Sequence, residues 1–172
     1  MLYRYFVLII GASALLIGVQ IPNFVTQYQQ RLDAQLTEAL VYYVQFEEIA
    51  ERYFEGDMQA LIRKHETSTE EVFRAEARPL RELVERVARY RYQQAQLDSS
   101  SFPEQVWFVA TQADPELRAS TWRTYSFNVP LTQQAVITGA VFALLLVLLL
   151  DCCGGLLKAC ARRLRRPQRQ RR

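Results

Sequence analysis

The feature that most constrains this chain is an apolar run near its C-terminal end. Residues 135–150 read AVITGAVFALLLVLLL, and no charged residue occurs between Arg123 and Asp151. The residues that follow carry Lys158 and seven arginines against a single acid. A long uncharged run beside a basic cluster predicts a membrane-spanning helix whose basic end stays in the cytoplasm.

A second apolar run lies at the N-terminus. After Arg4 no charge occurs before Arg31, and at about 1.5 Å per residue the positions 2–21 cover roughly the 30 Å of a bilayer core. No suitable cleavage site follows the apolar residues, so we expect an uncleaved anchor rather than a signal peptide. Ala14 and Gly18 are four residues apart, which either allows another helix to approach closely or reflects how common small residues are in membrane helices.

The distribution of charge predicts how the chain is threaded. The basic tail accounts for the overall charge of +3, because the residues from Tyr5 to Leu150 include twelve basic and seventeen acidic side chains. We therefore expect four parts, with both termini in the cytoplasm and the centre translocated. All three cysteines follow residue 150, so the central domain would fold without disulfides. The parts are an N-terminal transmembrane helix (1–25), a periplasmic helical domain (26–130), a second transmembrane helix (131–151) and a basic cytoplasmic tail (152–172).

The central region is predicted to be helical. Apolar and aromatic residues recur three and four positions apart over 36–53 and again over 80–97, the spacing of one helix face. Two prolines, each preceded by a helix-start signal, predict short helices near 103–112 and 115–124. Two long amphipathic helices bury their apolar stripes by pairing. The predicted fold class is an all-α membrane protein, in which two transmembrane helices flank an antiparallel helical hairpin or bundle outside the membrane.

Turn and capping residues mark the expected helix ends. Gly56 predicts the end of the first long helix, and Asp57 predicts the cap of a short helix after it. Ser68, with Glu71 three positions later, predicts a capping box. Pro79 predicts either an interruption or the start of the next helix. The first repeat also has more aromatic residues than the contact between two helices can cover. They therefore either belong to the core or form part of a contact surface. These residues are Tyr42, Tyr43, Phe46, Tyr53 and Phe54.

Several short motifs carry a resemblance to a known family. They are GVQIP at 18–22, RYF at 52–54, GD at 56–57, TW at 121–122 and VPL at 129–131. This set resembles a small bacterial inner-membrane protein family that is catalogued only as a domain of unknown function. The resemblance covers most of the chain up to residue 150 and implies two spans around a helical periplasmic region in a Gram-negative inner membrane. It implies no activity, cofactor or catalytic residue, and the arginine-rich ending lies outside the pattern.

No motif in the sequence predicts catalysis. There is no glycine-rich phosphate loop, serine elbow or histidine-containing zinc signature. The single histidine, His65, has no spaced ligand partner, and we expect an exposed surface residue. Cys152, Cys153 and Cys160 lack a fourth ligand for zinc and are either reduced thiols or, in a eukaryotic host, candidates for lipidation. We therefore expect neither enzyme activity nor a cofactor.

The basic C-terminal tail is the part of the sequence that is most particular to this protein. Gly154 and Gly155 predict the loosening or end of the membrane helix, followed by a short amphipathic segment on the inner leaflet. Contact with membrane lipids and control of orientation are both expected of it, whereas nucleic acid is not, because no aromatic residues interleave with the arginines. The candidate lipid or orientation contacts are Lys158, Arg162, Arg163, Arg165, Arg166, Arg169, Arg171 and Arg172.

Two functional classes fit this organisation. The favoured one is a non-enzymatic structural or accessory inner-membrane protein whose periplasmic helices bind a protein partner or a second copy of the chain. The other is a sensory or signal-transmitting module, since span, helical domain and span is also a receptor arrangement. About twenty residues follow Leu150, too few for an output domain, so such a sensor would act through a separate partner.

Overall fold

The computed structural model describes residues 2–128 and 132–164. Within these residues the chain forms six α-helices and no strand, so the all-α fold class is confirmed. The chain divides into a terminal unit, Met1–Phe24 with Ser126–Arg172, and a central unit, Val25–Tyr125. The helices are α1 (Leu2–Phe54), α2 (Met58–Glu66), α3 (Glu71–Ser99), α4 (Phe102–Thr111), α5 (Pro115–Arg123) and α6 (Gln133–Leu164).

The central unit is built on the pairing of α1 with α3. Tyr28 of α1 hydrogen-bonds to Gln93 near the end of α3, whereas Ala50 shares a buried cluster with Leu80 near the start of α3. The two helices therefore run antiparallel, and each turns one apolar stripe towards the other. The buried residues are Val25, Tyr28, Leu32, Leu36, Ala39 and Ala50 on α1, and Ala77, Leu80, Val87, Tyr90, Gln93 and Leu97 on α3.

The turn from α1 into α2 uses left-handed backbone. Glu55 has a φ of 53° and Gly56 a φ of 82°, and glycine adopts this conformation without steric cost. The Asp57 carboxylate then accepts hydrogen bonds from the backbone N–H groups of Gln59 and Ala60 at 2.8 and 3.0 Å. The predicted end of the first helix and the predicted cap of the second are both confirmed.

Helix α2 covers one end of the hairpin. Its residues Met58, Leu61 and Ile62 lie in one buried cluster with Ala50 and Leu80. Burial of such side chains stabilises the fold by roughly 1.5–3 kcal/mol each. The partly buried side chains that pack on this cluster are Tyr43, Phe46, Phe54 and Val84.

The predicted capping box at the start of α3 is wrong. The helix begins at Glu71 with Glu70 as its N-cap residue. The Ser68 hydroxyl accepts a hydrogen bond from the N–H of Glu70 at 3.2 Å, and Arg74 donates to the carbonyls of Ser68 and Thr69 at 2.8 and 2.9 Å. Ser68 is therefore used in a turn before the helix, because serine hydroxyls bond local backbone in turns as readily as in caps.

Two expected helix interruptions are also wrong. Helix α3 continues through Pro79. The carbonyl of Ala75, which loses its donor, belongs to an exposed residue, so water can satisfy it. Helix α6 likewise runs through Gly154 and Gly155 to Leu164. A glycine inside a helix costs about 1 kcal/mol relative to alanine, which weakens a helix without ending it.

The two short helices, α4 and α5, begin and end within one residue of the predicted positions. Helix α4 starts with a capping box in which the Glu104 carboxylate accepts from the N–H of Ser101 at 2.8 Å. Helix α5 starts at the Asp114 carboxylate, which accepts from the N–H groups of Glu116 and Leu117, each at 3.0 Å. Both carboxylates satisfy N–H groups that a helix leaves without an internal partner.

Candidate functional surfaces

In the terminal unit, α1 and α6 approach each other where two glycines meet. A Cβ added to Gly18 would lie 2.8 Å from the Cα of Gly139 and 2.8 Å from the Cβ of Phe142. A Cβ added to Gly139 would lie 2.7 Å from the Cγ2 of Val19. Ala14, one turn before Gly18, is only 1% exposed. Ala14 and Gly18 thus lie on the face of α1 that contacts α6.

The large apolar side chains of this unit point outward. Small residues such as Ala14 and Ala135 are buried between the helices together with Val19, while most leucine, isoleucine and valine side chains with described burial are half-exposed or exposed. A water-soluble helix pair does the opposite and buries its large apolar residues. The exposed set is Tyr5, Ile9, Leu15, Leu16 and Ile17 on α1, and Val136, Ile137, Val141, Leu144, Leu145, Leu148 and Leu149 on α6.

Length and composition distinguish the two helices. From Ile9 onward, α1 contains a segment long and apolar enough to cross a membrane. In α6 the apolar segment with described side chains is shorter, Gln133–Leu149. A span requires about 20 mainly apolar residues, so α1 alone meets that requirement within the described residues.

A polar side chain in α1 holds the chain that leads into α6. The Nδ2 group of Asn23 donates to the backbone carbonyls of Ser126 and Asn128 at 3.1 and 3.0 Å, and it also lies 3.2 Å from the Oε1 of Gln20. Residues 126–128 are not helical, so their carbonyls need partners from elsewhere. Asn23 supplies partners to the carbonyls of Ser126 and Asn128 and so ties this segment to α1.

In the central unit, Gln93 is a buried polar junction. Its Oε1 accepts from the Tyr28 hydroxyl at 2.5 Å and from the backbone N–H of Asp114 at 3.0 Å. Because a backbone N–H can only donate, the oxygen of the amide must face it. One side chain of α3 therefore binds α1 and the α4–α5 connection together. Burial raises the pKa of the Tyr28 phenol, so Tyr28 remains a donor.

A polar cleft of ≈ 360 Å³ lies between α1, α3 and α5 of the central unit. Four arginines line it: Arg31 from α1, Arg86 and Arg89 from α3, and Arg123 from α5. Arg31 donates to the hydroxyl of Thr124, which orients its guanidinium group. The cleft therefore brings together four arginines from three helices.

Other polar groups complete the cleft wall. Asp114, Glu116 and Ser120 line it together with Tyr90. Burial, followed by the nearby charge of Asp114, raises the pKa of the Tyr90 phenol, which therefore stays protonated and able to donate. No local sequence signal marks this cleft, because its residues come from three helices that are separated by tens of positions along the chain.

His65 is packed rather than exposed. Its side chain is 16% exposed, its Nδ1 lies 3.0 Å from the carbonyl of Leu61, and its ring meets Phe73 edge-on at 5.9 Å. A carbonyl only accepts, so Nδ1 carries the proton. Within the described residues no group of three His, Cys, Asp or Glu side chains could hold a metal. The expectation of a surface histidine is wrong, because the ring fills the gap between α2 and α3.

The surplus aromatic residues of α1 divide into two groups. Tyr43, Phe46 and Phe54 pack on the core cluster, and the guanidinium of Arg91 lies 5.1 Å above the ring of Tyr43. Tyr42 and Tyr53, by contrast, are 58% and 69% exposed. The group is therefore core in part and surface in part.

The tail residues predicted to contact lipid lie either at the end of the described residues or beyond it. The backbone is helical at Lys158, Arg162 and Arg163, but their side chains lie outside the described residues. The exposed thiol of Cys152 is described. The tail arginines outside the description altogether are Arg165, Arg166, Arg169, Arg171 and Arg172.

The fold and surfaces define an all-helical protein whose long apolar N-terminal helix is compatible with a membrane protein. The profile of the family described as "Protein of unknown function (DUF2937)" matches residues 2–165. The chain therefore belongs to this family, which confirms the resemblance to a domain of unknown function. Neither the curated proteins nor the solved structures contain a match to the chain.

Proposed function

We propose that the protein is an integral membrane protein with two spans, one in α1 before residue 25 and one over the predicted segment 131–151, which contains the first part of α6. The inverted packing of the terminal unit carries this proposal, since small residues between helices and large apolar residues outside suit lipid. In water, about a dozen half-exposed large apolar side chains would forgo on the order of 10 kcal/mol. That is comparable with the whole stability of a typical domain.

Membrane insertion is tested by making the outward face of α6 charged. Leu144→Glu with Leu148→Glu should move the protein out of the carbonate-washed membrane fraction, because each acid would face hydrocarbon. The matched control places glutamate at Val41 and Val72, which are exposed in the central unit. The control should stay in the membrane. Equal behaviour of the two variants would contradict the proposal.

The proposed location is a bacterial inner membrane, with both termini in the cytoplasm and the central unit in the periplasm. The support is the excess of arginine and lysine after Leu150, because basic residues near a span remain cytoplasmic. A reporter active only in the cytoplasm should work when fused after Arg172. A reporter active only in the periplasm should work when inserted at Ser100, between α3 and α4. The reverse pattern would overturn this topology.

Within that membrane we assign the protein a non-enzymatic structural or accessory role. The central unit associates with a protein partner or with a second copy of the chain, and the basic tail lies at the inner leaflet. The exposed rings of Tyr42 and Tyr53 support association, because exposed aromatic side chains are enriched at protein interfaces. After mild solubilisation of native membranes, the protein should purify in a stoichiometric complex. Purification only as a monomer under cross-linking conditions would argue against this role.

A sensory or signal-transmitting role is the second candidate. It is favoured by the continuity of α1, which is helical from Leu2 to Phe54 with Pro22 inside it and so contains both the proposed span and one helix of the hairpin. Such a helix can pass on a displacement along its length. Co-purification with a kinase or transporter that changes with a stimulus would favour this candidate over the accessory role.

A further inference from the structure

Of the seven other arginines in the central unit three have a carboxylate partner, whereas none of the four that line the cleft has one in the described part of the chain. Arg63, Arg78 and Arg81 each have a carboxylate within 4.0 Å. Among the described residues, no carboxylate lies that close to any of the four cleft arginines. Four guanidinium groups thus share one polar cleft without an ion pair.

The acids of the cleft do not balance this charge. The Asp114 carboxylate is occupied as the cap of α5, where it accepts two backbone N–H groups. Glu116 is the only other acid that lines the cleft. Four positive and two negative groups leave a surplus of two positive charges. Arg86 and Arg89 are three residues apart on one helix, a spacing at which like charges repel.

An unused hydroxyl faces the same space. Tyr90 is 9% exposed and lines the cleft, yet no described residue lies within hydrogen-bond distance of its hydroxyl. No fully buried side-chain nitrogen or oxygen among the described residues lacks a hydrogen-bond partner, so the Tyr90 hydroxyl reaches the open side of the cleft, where water or a ligand can bind it. A protonated phenol beside unpaired guanidinium groups is a donor set for an anion.

We propose that this cleft binds a phosphate monoester or diester group, held by Arg86, Arg89 and Arg123 with the Tyr90 hydroxyl as a further donor. Arginine presents paired N–H groups that match phosphate oxygens, and a phosphate monoester carries about −1.5 to −2 charges, close to the surplus in the cleft. The volume of ≈ 360 Å³ lies at the small end of the range for ligand sites. It suits one phosphate group with a short polar substituent. A soluble phosphate ester and a phospholipid headgroup both present this chemistry.

The test uses the full chain in nanodiscs of zwitterionic lipid, titrated calorimetrically with glycerol 3-phosphate. Saturable binding is expected, and glycerol or sulfate at equal ionic strength should not reproduce it. In a second arm the nanodiscs contain phosphatidylglycerol, and the Tm of the protein is compared with that in zwitterionic nanodiscs. A ligand that binds only the folded state raises Tm.

Two variants separate the cleft from charge in general. Arg86→Gln with Arg89→Gln should weaken glycerol 3-phosphate binding by about 100-fold or more, because two charge-assisted hydrogen-bonding groups are lost. Tyr90→Phe should weaken it by about tenfold, without lowering the Tm of the unliganded protein, since that hydroxyl has no protein partner. The control, Arg52→Gln with Arg78→Gln, removes the same charge outside the cleft and should bind normally.

Each outcome either supports or contradicts the proposed phosphate site. Binding of glycerol 3-phosphate that the cleft variants lose supports a soluble ligand. A Tm increase seen only with phosphatidylglycerol, and lost in the cleft variants, supports a lipid headgroup. Absence of both effects, equal binding of sulfate, or an equal loss in the control variant would overturn the phosphate site. None of these results depends on whether the central unit also associates with a partner.

Discussion

The contact between Gly18 and Gly139 predicts that adding one methyl group to α1 separates the two helices of the terminal unit. In Gly18→Ala the new Cβ would lie 2.8 Å from two carbon atoms of α6. Carbon atoms in favourable contact are about 3.5–4.0 Å apart, so the helices must move apart by about 1 Å. Overpacking of this kind typically costs about 1–3 kcal/mol.

Gly11→Ala is the matched control on the same helix. Its new Cβ would lie 3.8 Å from the Cγ2 of Val147, which is an ordinary contact. Both substitutions improve helix propensity by about 1 kcal/mol, and this gain cancels in the comparison. We therefore expect Gly18→Ala to be less stable than Gly11→Ala by about 1–3 kcal/mol, with Gly11→Ala equal to or above the wild type.

The assay unfolds the full chain in mixed micelles by titration with sodium dodecyl sulfate. Energy transfer between labels on Ile9→Cys and Leu149→Cys follows separation of the helices, because both side chains are exposed in the structure, at 66% and 60%. The native cysteines are replaced by serine. If Gly18→Ala unfolds at the same detergent fraction as Gly11→Ala, or at a higher one, the close approach of α1 and α6 is refuted.

Three further predictions concern the core, a cap and the tail. Gln93→Leu should destabilise the central unit by about 1–4 kcal/mol in chemical denaturation, because it leaves the buried Tyr28 hydroxyl unpaired at about 1–3 kcal/mol and the part-buried N–H of Asp114 unpaired at less. Tyr28→Phe, which removes one of those donors, should cost only about 1 kcal/mol. In Asp57→Ala the loss of the α2 cap should lower Tm at neutral pH. Bonds from the N–H groups of Ala60 and then Gln59 hold the pKa of the Asp57 carboxyl below its ordinary value, so its stabilisation is complete above the unfolded pKa of about 4. The Tm difference between wild type and Asp57→Ala should therefore shrink as pH falls from that value through the lower folded pKa, and a constant difference would contradict the cap. A peptide of residues 152–172 in which the arginines from Arg162 onward are glutamine should lose at least about tenfold in affinity for anionic vesicles, since each basic group contributes about 1 kcal/mol before screening; unchanged binding would contradict lipid contact.

The helical hairpin could be predicted because its signals are local or periodic. The repeat on α1 and α3 needs only the order of apolar residues, and the cap at Asp57 needs only its neighbours. The errors arose where two local rules competed. The Ser68 hydroxyl can bond backbone either in a turn or as a helix cap. In the structure it accepts from the N–H of Glu70, which forms the turn. Pro79 lies in an exposed part of α3, where water removes most of the penalty for the missing donor.

The cleft could not be predicted, because it depends on which helix faces meet. Arg31 and Arg86 are 55 positions apart in sequence, and each looks like a solvated charge on its own helix. The same holds for Gly139, which reads as one small residue within an apolar run. The role of Gly139 becomes visible only when α1 is packed against α6, where the Cα of Gly139 faces Gly18.

The two units therefore achieve packing in opposite ways, and this contrast is the strongest physical argument about the protein. The hairpin of the central unit buries leucine, valine and tyrosine and leaves charge outside, as the hydrophobic effect in water requires. The terminal unit buries mainly small residues, with Val19 as a larger one, and leaves leucine outside, which the hydrophobic effect in water does not favour. This contrast supports the membrane spans proposed above for the terminal unit, and α1 takes part in both units.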